Sequence, residues 1–291
     1  MRIKHVEILR ENLELTRPYT IAYKTISSVE NVFLLVHLND GTMGIGCAAP
    51  SVGVTGESVD DSVKALREIV EPLLRGANIA HFPALIKQVT QLLKGKPAAI
   101  AAVDIALHDA FCRWQKVRLL DWWGAAHQKM PTSITIGIGD VDETLAQAEE
   151  HLANGFKVIK LKTGRSVAED VEVFCKLREA VGPAIKIRID ANQGYQPAGL
   201  EAFAKATADF DVEFYEQPFP AGHSRGKVKT TDLLSGAEAQ LASSAALRKI
   251  CAADEDLHHA TDALRLSYAP QPFGIFNIKL MKCGGVTEAR N

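Results

Sequence analysis

Three carboxylates and two lysine sites stand where chemistry can be done, each closing a short apolar run of its own. Lys160 and Lys162 end VIKLK, Asp190 ends AIKIRID, Glu216 ends VEFYE, Asp254 ends ICAAD and Lys279 ends FGIFNIK. One ionisable residue at a strand end is ordinary. Several such ends in a βα repeat converge on one face of a parallel barrel, the face that carries the active site. Whole βα units separate the three acids, so only closure of the sheet brings them together. Carboxylate oxygens suit a hard cation, Mg²⁺ or Mn²⁺, and leave positions for water and substrate. The set reads as a divalent-metal site flanked by two lysine bases.

Side chains alternate across a strand, so Lys160 and Lys162 share a face with Leu161 opposite. Lys186, Arg188 and Asp190 repeat the alternation on the next run. Charges buried on adjacent strands are costly unless they pair or bind an ion, which argues for a shared site.

The elements that must position these residues fall into two parts. Residues 1 to about 50 read as antiparallel strands, with Asn39-Asp40-Gly41 supplying the tight turn between two of them. Helical spacing follows over 58–75, closed by Gly76, and again over 82–93. AAIAAVDIALHDAFCRW is apolar on most of its circumference and is expected between layers. From Thr132 onward, β-branched runs alternate with amphipathic helices, the pattern of a parallel sheet with crossover helices. We place the boundary near 125, giving an α+β domain over 1–125 and an α/β barrel domain over 126–291. A polar, Gly-containing stretch over 221–245 reads as an inserted loop. The roughly 165 residues after position 125 hold six strand-like runs, whereas eight units occupy about 250. The expected barrel is therefore truncated after its sixth strand.

The chain has 291 residues, 47% hydrophobic and 23% charged, with a formal charge of −2. Its basic residues form no stripe, so neither nucleic acid nor an anionic membrane is expected as partner. No apolar run reaches the ~18 residues that span a bilayer. Five scattered cysteines without a CxxC pair, and the lack of a signal peptide, point to free thiols and a cytoplasmic protein.

The strings KLK, DANQGY (190–195), EQP (216–218), ADED (253–256) and NIKLMKCGG (277–285) resemble the enolase superfamily and, within it, the muconate-lactonizing-enzyme subgroup. PYTIAYKTISSVENV (18–32) is similar to the capping-domain loop of dipeptide epimerases. The likeness spans nearly the whole chain. It implies an enolase-type (β/α)-barrel with an N-terminal α+β capping domain. It further implies that Asp190, Glu216 and Asp254 bind Mg²⁺, and that Lys162 and Lys279 stand on opposite faces of the substrate α-carbon. One lysine takes the α-proton and the other returns one from the far side. A lysine acting as base near neutral pH needs lowered proton affinity, which a dication and a second ammonium would provide. Lys160 would orient the substrate carboxylate or lower the affinity of Lys162. Asn192 and Glu255 would support the site from behind.

The resemblance places Tyr19, Ile21, Tyr23 and Thr25 in the loop over the barrel mouth, and Thr135 at a barrel strand end, all as substrate contacts. The implied activity is epimerisation of a dipeptide by 1,1-proton transfer. Cycloisomerase, o-succinylbenzoate synthase and N-acylamino acid racemase reactions share these motifs, and a non-catalytic metal-binding homologue is the alternative outside enzymes. A homo-oligomer acting on a dipeptide or other carboxylate is expected. Two departures stand out. Asp256 replaces the family's usual Ser, and the acidic motifs of strands seven and eight have no counterpart before Asn291. Asp104, His108 and Asp109 read as the polar edge of a packing helix, and His258-His259 as surface. Trp122-Trp123 are expected at the domain junction.

Overall fold

The computed structural model describes residues 1–21, 24–127, 129–222, 250–268 and 271–291. The N-terminal part is a three-stranded antiparallel sheet in the order β1 (Ile3–Ile21), β2 (Lys24–Leu38), β3 (Met43–Ala48). Alternation along β2 decides its faces. Val32, Leu34, Val36 and Leu38 are at most 1% exposed, while Phe33, Leu35 and His37 are half-buried on the other side. The buried face meets α4 (Pro97–Trp114), whose Ala98, Ala99, Ala102, Ala106 and Ala110 let the helix come close. Gly44 and Gly46 complete that fit. A Cβ on Gly46 would lie 1.9 Å from the Ala102 carbonyl oxygen.

The stretch read as one helix over 58–75 is α1 (Val59–Ala65), a π-turn over Leu66–Val70, and α2 (Glu71–Leu74), with Pro72 in its first turn. Ser58 and Asp61 cap its start reciprocally. Next come α3 (Phe82–Leu92) and α5 (Leu119–Trp123).

Six parallel strands follow in sequential order: β4 (Ile134–Ile136), β5 (Val158–Lys162), β6 (Lys186–Asp190), β7 (Tyr215–Glu216), β8 (Cys251–Ala253) and β9 (Ile275–Phe276). The fold is α/β, as expected. Helices α6 (Val141–Ala153), α7 (Val167–Val181) and α8 (Pro197–Ala206) lie between the first strands, and α9 (Ala260–Ser267) precedes β9. Phe174, Leu177, Phe203 and Ile187 are fully buried in this second core, each contributing roughly 1.5–3 kcal/mol by leaving water. Two short turns close the chain, α10 (Leu280–Cys283) and α11 (Val286–Arg290).

Asp104 is no polar edge. It is 1% exposed and its Oδ1 accepts from Val286 N at 2.7 Å and Thr287 N at 3.3 Å, so it caps α11 from α4. His108 is buried beside it, its Nδ1 2.8 Å from the Asp104 carbonyl. Asp109 Oδ2 accepts from Ile45 N on β3. A helix lying under a sheet and against a second element has no free edge at Asp104 and His108, whereas Asp109 is partly exposed and pairs with Arg113 at 2.9 Å, as a polar edge would. Trp123 does bridge the two parts, with the Arg290 guanidinium 5.0 Å from its ring. Trp122 packs on Phe111 and stays half-exposed. All five cysteines are free, Cys112 and Cys251 buried and the others half-buried. Among the described residues no helix is long and apolar enough to cross a membrane.

Candidate active site

Asp190 and Glu216 are direct neighbours in the parallel register, as are Lys162 and Asp190. Asp254 follows the last residue of β8. The three acids are 0%, 2% and 1% exposed. Charge that deep requires partners. Lys160 Nζ bridges Asp190 Oδ2 at 2.8 Å and Glu216 Oε2 at 2.7 Å. Lys162 Nζ donates to the same Asp190 oxygen at 2.7 Å and to Asn192 Oδ1 at 2.7 Å. On the far flank, Lys279 and Lys282 hold Oδ2 and Oδ1 of Asp254 at 2.5 and 2.6 Å. Lys162 and Lys279 thus bracket the acidic row from opposite ends.

The electrostatics follow from this crowding. Burial raises the proton affinity of Glu216, and the charges of Asp190 and Asp254 add to it. Burial also opposes ionisation of Asp190 and Asp254, but their lysine partners outweigh it and hold both below the ordinary carboxylate range. Among the described residues no lysine is hydrogen-bonded to Glu255, which accepts from Asn192 Nδ2. Burial, then the negative charges of Asp254 and Asp190, push it up to about 7. Lys160 and Lys279 lose proton affinity by burial and regain more from the acids they touch. A lowered affinity at Lys279 is therefore not met in this arrangement, because Asp254 lies directly against its ammonium.

Backbone strain marks the same region. Asn192, Gln193 and Gln217 take φ of +42°, +68° and +34°, costing on the order of 1–3 kcal/mol each for non-glycine residues. Hydrogen bonds hold them there. Asn192 N donates to Asp190 Oδ1 at 3.0 Å, and its Nδ2 to Glu255 at 3.3 Å. Gln193 N donates to the Gln217 carbonyl. Gln217 Oε1 accepts from Asp254 N at 2.9 Å and Asp256 N at 3.2 Å, while its Nε2 donates to Asp256 Oδ2 at 2.7 Å. This clamp ties the end of β7 to the end of β8. Asp256 serves the clamp and also accepts from Gly222 N.

A cleft of about 1050 Å³ opens over the acids, lined by Lys162, Asn192, Asp254, Glu255 and Lys279 and roofed by Tyr19 and Thr25 of the β1–β2 hairpin. A second cleft of about 560 Å³ holds Thr135, Tyr19 and Lys162. The hairpin is docked on β4. Ile138 N donates to the Thr20 carbonyl at 3.0 Å, and Arg17 pairs with Glu150 of α6 at 2.8 Å. Ile21 pairs with Lys24 across the hairpin. Tyr23 lies outside the described residues, as does the 221–245 stretch beyond Gly222.

Two expectations change. Lys186 and Arg188 belong elsewhere. Both pair with Glu213, at 2.8 and 2.5 Å, and Arg188 stacks on Phe214. Lys186 opens β6 and Arg188 is its middle residue, both short of the strand end, so alternation kept their face but not their depth. His258 is not simple surface. It lines the main cleft, with Nε2 3.0 Å from the Glu255 carbonyl. Sequence reasoning also missed Gln217, Lys282 and Asn277, whose Nδ2 donates to Glu216 Oε1 at 2.8 Å. The available signal was position: Gln217 adjoins a site acid, and KLMK puts Lys282 one turn from Lys279.

The donor set suits a hard divalent cation, which Asp190, Glu216 and Asp254 could hold through carboxylate oxygens. Glu216, crowded by both neighbours, is the acid such charge would relieve most. Among the described residues no three His, Cys, Asp or Glu side chains close around one point; each acid is turned onto a lysine.

Comparison with known proteins agrees with this layout. Residues 3–124 match the family model described as mandelate racemase / muconate lactonizing enzyme, N-terminal domain, and 143–291 match enolase C-terminal domain-like. The L-Lys-D/L-Arg epimerase of Desulforapulum autotrophicum is 46% identical over 286 residues, 98% of this chain and 77% of that protein. The L-Ala-D/L-Glu epimerase of Bacillus subtilis is 30% identical, over 99% of this chain and 76% of its own. The dipeptide epimerase of Methylococcus capsulatus, solved with Mg and the dipeptide L-Arg-D-Lys, superposes with a TM-score of 0.91 at 38% identity. That match covers 100% of this chain and 78% of the other.

Proposed function

We propose that this chain, which belongs to the enolase superfamily and within it to the muconate-lactonizing-enzyme subgroup of dipeptide-epimerase-like isomerases, is a Mg²⁺-dependent epimerase that inverts a dipeptide α-carbon by 1,1-proton transfer. The observation that carries this reading is the placement of Lys162 and Lys279 at opposite ends of one row of buried carboxylates, facing a single cleft. Residues 1–125 serve as the cap and 126–291 as the catalytic unit. A dipeptide with basic side chains is favoured by the likeness to the L-Lys-D/L-Arg epimerases.

Asp190, Glu216 and Asp254 would hold the cation through their carboxylate oxygens. When bound, the cation supplies electrostatic stabilisation of the charge that builds as the α-proton leaves. Lys162 Nζ, oriented by Asp190 and Asn192, takes or returns the proton on one face. Lys279 Nζ does so on the other. Lys160, fixed between Asp190 and Glu216, keeps a positive charge beside the carboxylate. Tyr19 and Thr25 cover the cleft and keep water from the reacting carbon; Thr135 contacts substrate from the β4 side.

The test is a pair of variants. Lys162→Ala and Lys279→Ala are each expected to abolish epimerisation of L-Lys-L-Arg, while each retains α-proton exchange with solvent from one epimer only. Full epimerisation by both variants would refute the two-lysine scheme.

A further inference from the structure

Lys282 is the most deeply buried amine beside the site, 2% exposed among the largest fully enclosed side chains. A buried ammonium is costly, and a methionine or leucine would fill the same space without that cost. Both of its hydrogen bonds go to one residue. Nζ donates to Asp254 Oδ1 at 2.6 Å and to the Asp254 carbonyl at 2.5 Å. It thereby closes a ring over the main chain and side chain of Asp254, which fixes the carboxylate torsions. Oδ2 is left turned to Lys279, whose side chain is 43% exposed. Of two amines on one carboxylate, one is locked and one can move.

The turn that carries both is itself anchored. Gly284 and Gly285 end α10 with φ of +95° and +113°, and a Cβ on Gly285 would meet Asp104 Cβ at 2.6 Å. Asp104 also caps the next turn at Val286. Met281 Sδ accepts from Ala49 N at 3.2 Å. The N-terminal part therefore sets where Lys282 stands.

We propose that Lys282 is a positioning residue: it clamps Asp254 so that one carboxylate oxygen stays presented to the cleft when Lys279 leaves it. Its bearing on metal binding rests on the epimerase reading above; the clamp on Asp254 does not. Lys282 touches neither substrate nor reacting atoms in this role.

The experiment compares Lys282→Met, Lys282→Arg and the wild type. A crystal structure of metal-free Lys282→Met is expected to show the Asp254 carboxylate rotated from its present orientation. Mg²⁺ titration followed by thermal shift is expected to show half-saturation raised about 10- to 100-fold, the usual loss when a ligand's supporting partner is removed. Lys282→Arg, which keeps the cation, is expected to recover most of that loss. Unchanged Asp254 torsions, or half-saturation within threefold of wild type, would overturn the proposal. A role in folding alone would lower the melting temperature without moving Mg²⁺ half-saturation. Should Lys282→Met fail to fold, Lys282→Gln carries the same comparison. Absence of a Mg²⁺ shift in the wild type would count against the metal-dependent reading, and the Asp254 torsions would still decide the clamp.

Discussion

Replacing Asp104 with alanine isolates the joint between the two parts of the molecule. In the intact protein Asp104 Oδ1 accepts one short bond from Val286 N and a longer one from Thr287 N, in a site 1% exposed. Bonds to a charged acceptor contribute about 1.5–3 kcal/mol, and a buried donor left alone costs about 1–3 kcal/mol. One strong and one weak bond lost give about 2–4 kcal/mol. At 2–4 °C per kcal/mol for a protein of this size class, the melting temperature should fall by roughly 4–16 °C. Asp104→Asn keeps an oxygen acceptor and should recover more than half of the loss. Thermal unfolding by circular dichroism reads both variants. Asp104 sits 175 residues from Lys279 in sequence but caps the turn after it, so turnover measured well below the melting temperature should fall as well. A loss under about 1 kcal/mol in Asp104→Ala would refute the claim that this cap joins the two parts.

Other outcomes follow from the same geometry. Glu255, raised to about 7 by burial and by Asp254 and Asp190, binds its proton in the folded state between its unfolded value of about 4.3 and about 7. Its contribution thus makes the protein, without added divalent cation, gain stability as pH falls through 7 and lose it as pH rises. Glu255→Gln should flatten that slope, and an identical slope in both proteins would count against the assignment. Gly46→Ala sets a Cβ 1.9 Å from the Ala102 carbonyl and should cost about 3 kcal/mol by urea unfolding; a neutral result would mean that α4 shifts freely. Chelation should lower the melting temperature of the Mg²⁺-loaded protein by the equivalent of about 2.7 kcal/mol at a hundred times its dissociation constant, and Glu216→Gln should remove that dependence.

The strand ends were legible because each apolar run terminates in a charge, and strand alternation assigns those charges a face. Asp190 and Glu216 stand side by side in the register and Asp254 follows the end of the next strand, as that pattern requires, but among the described residues their side chains turn onto lysines and do not close around one point. Lys186 and Arg188 show where the reasoning stops. Alternation fixes the face of a side chain but not its height, and Glu213 neutralises both at the opposite end of β6. The β2–β3 turn at Asn39-Asp40-Gly41 and the alanine-rich helix were readable from turn chemistry and composition, whereas the segment that forms the β1–β2 hairpin read as a loop. The burial of Asp104 was not, because its partner Val286 lies 182 residues away. Asn277, Gln217 and Lys282 escaped notice for the same reason. Position placed Gln217 and Lys282 near the site, but their meaning, like that of Asn277, is a hydrogen bond to a neighbouring strand end, which local spacing does not encode.

The most direct measurement follows the α-proton of L-Lys-L-Arg by proton NMR in D₂O with Mg²⁺ and the wild-type protein. The inverted dipeptide is expected to form with deuterium at its α-carbon, since the proton is delivered by a lysine that did not receive the original one. An inverted product that keeps the substrate's own proton would contradict a two-lysine site, and an α-proton signal that never fades would contradict the proton transfer itself.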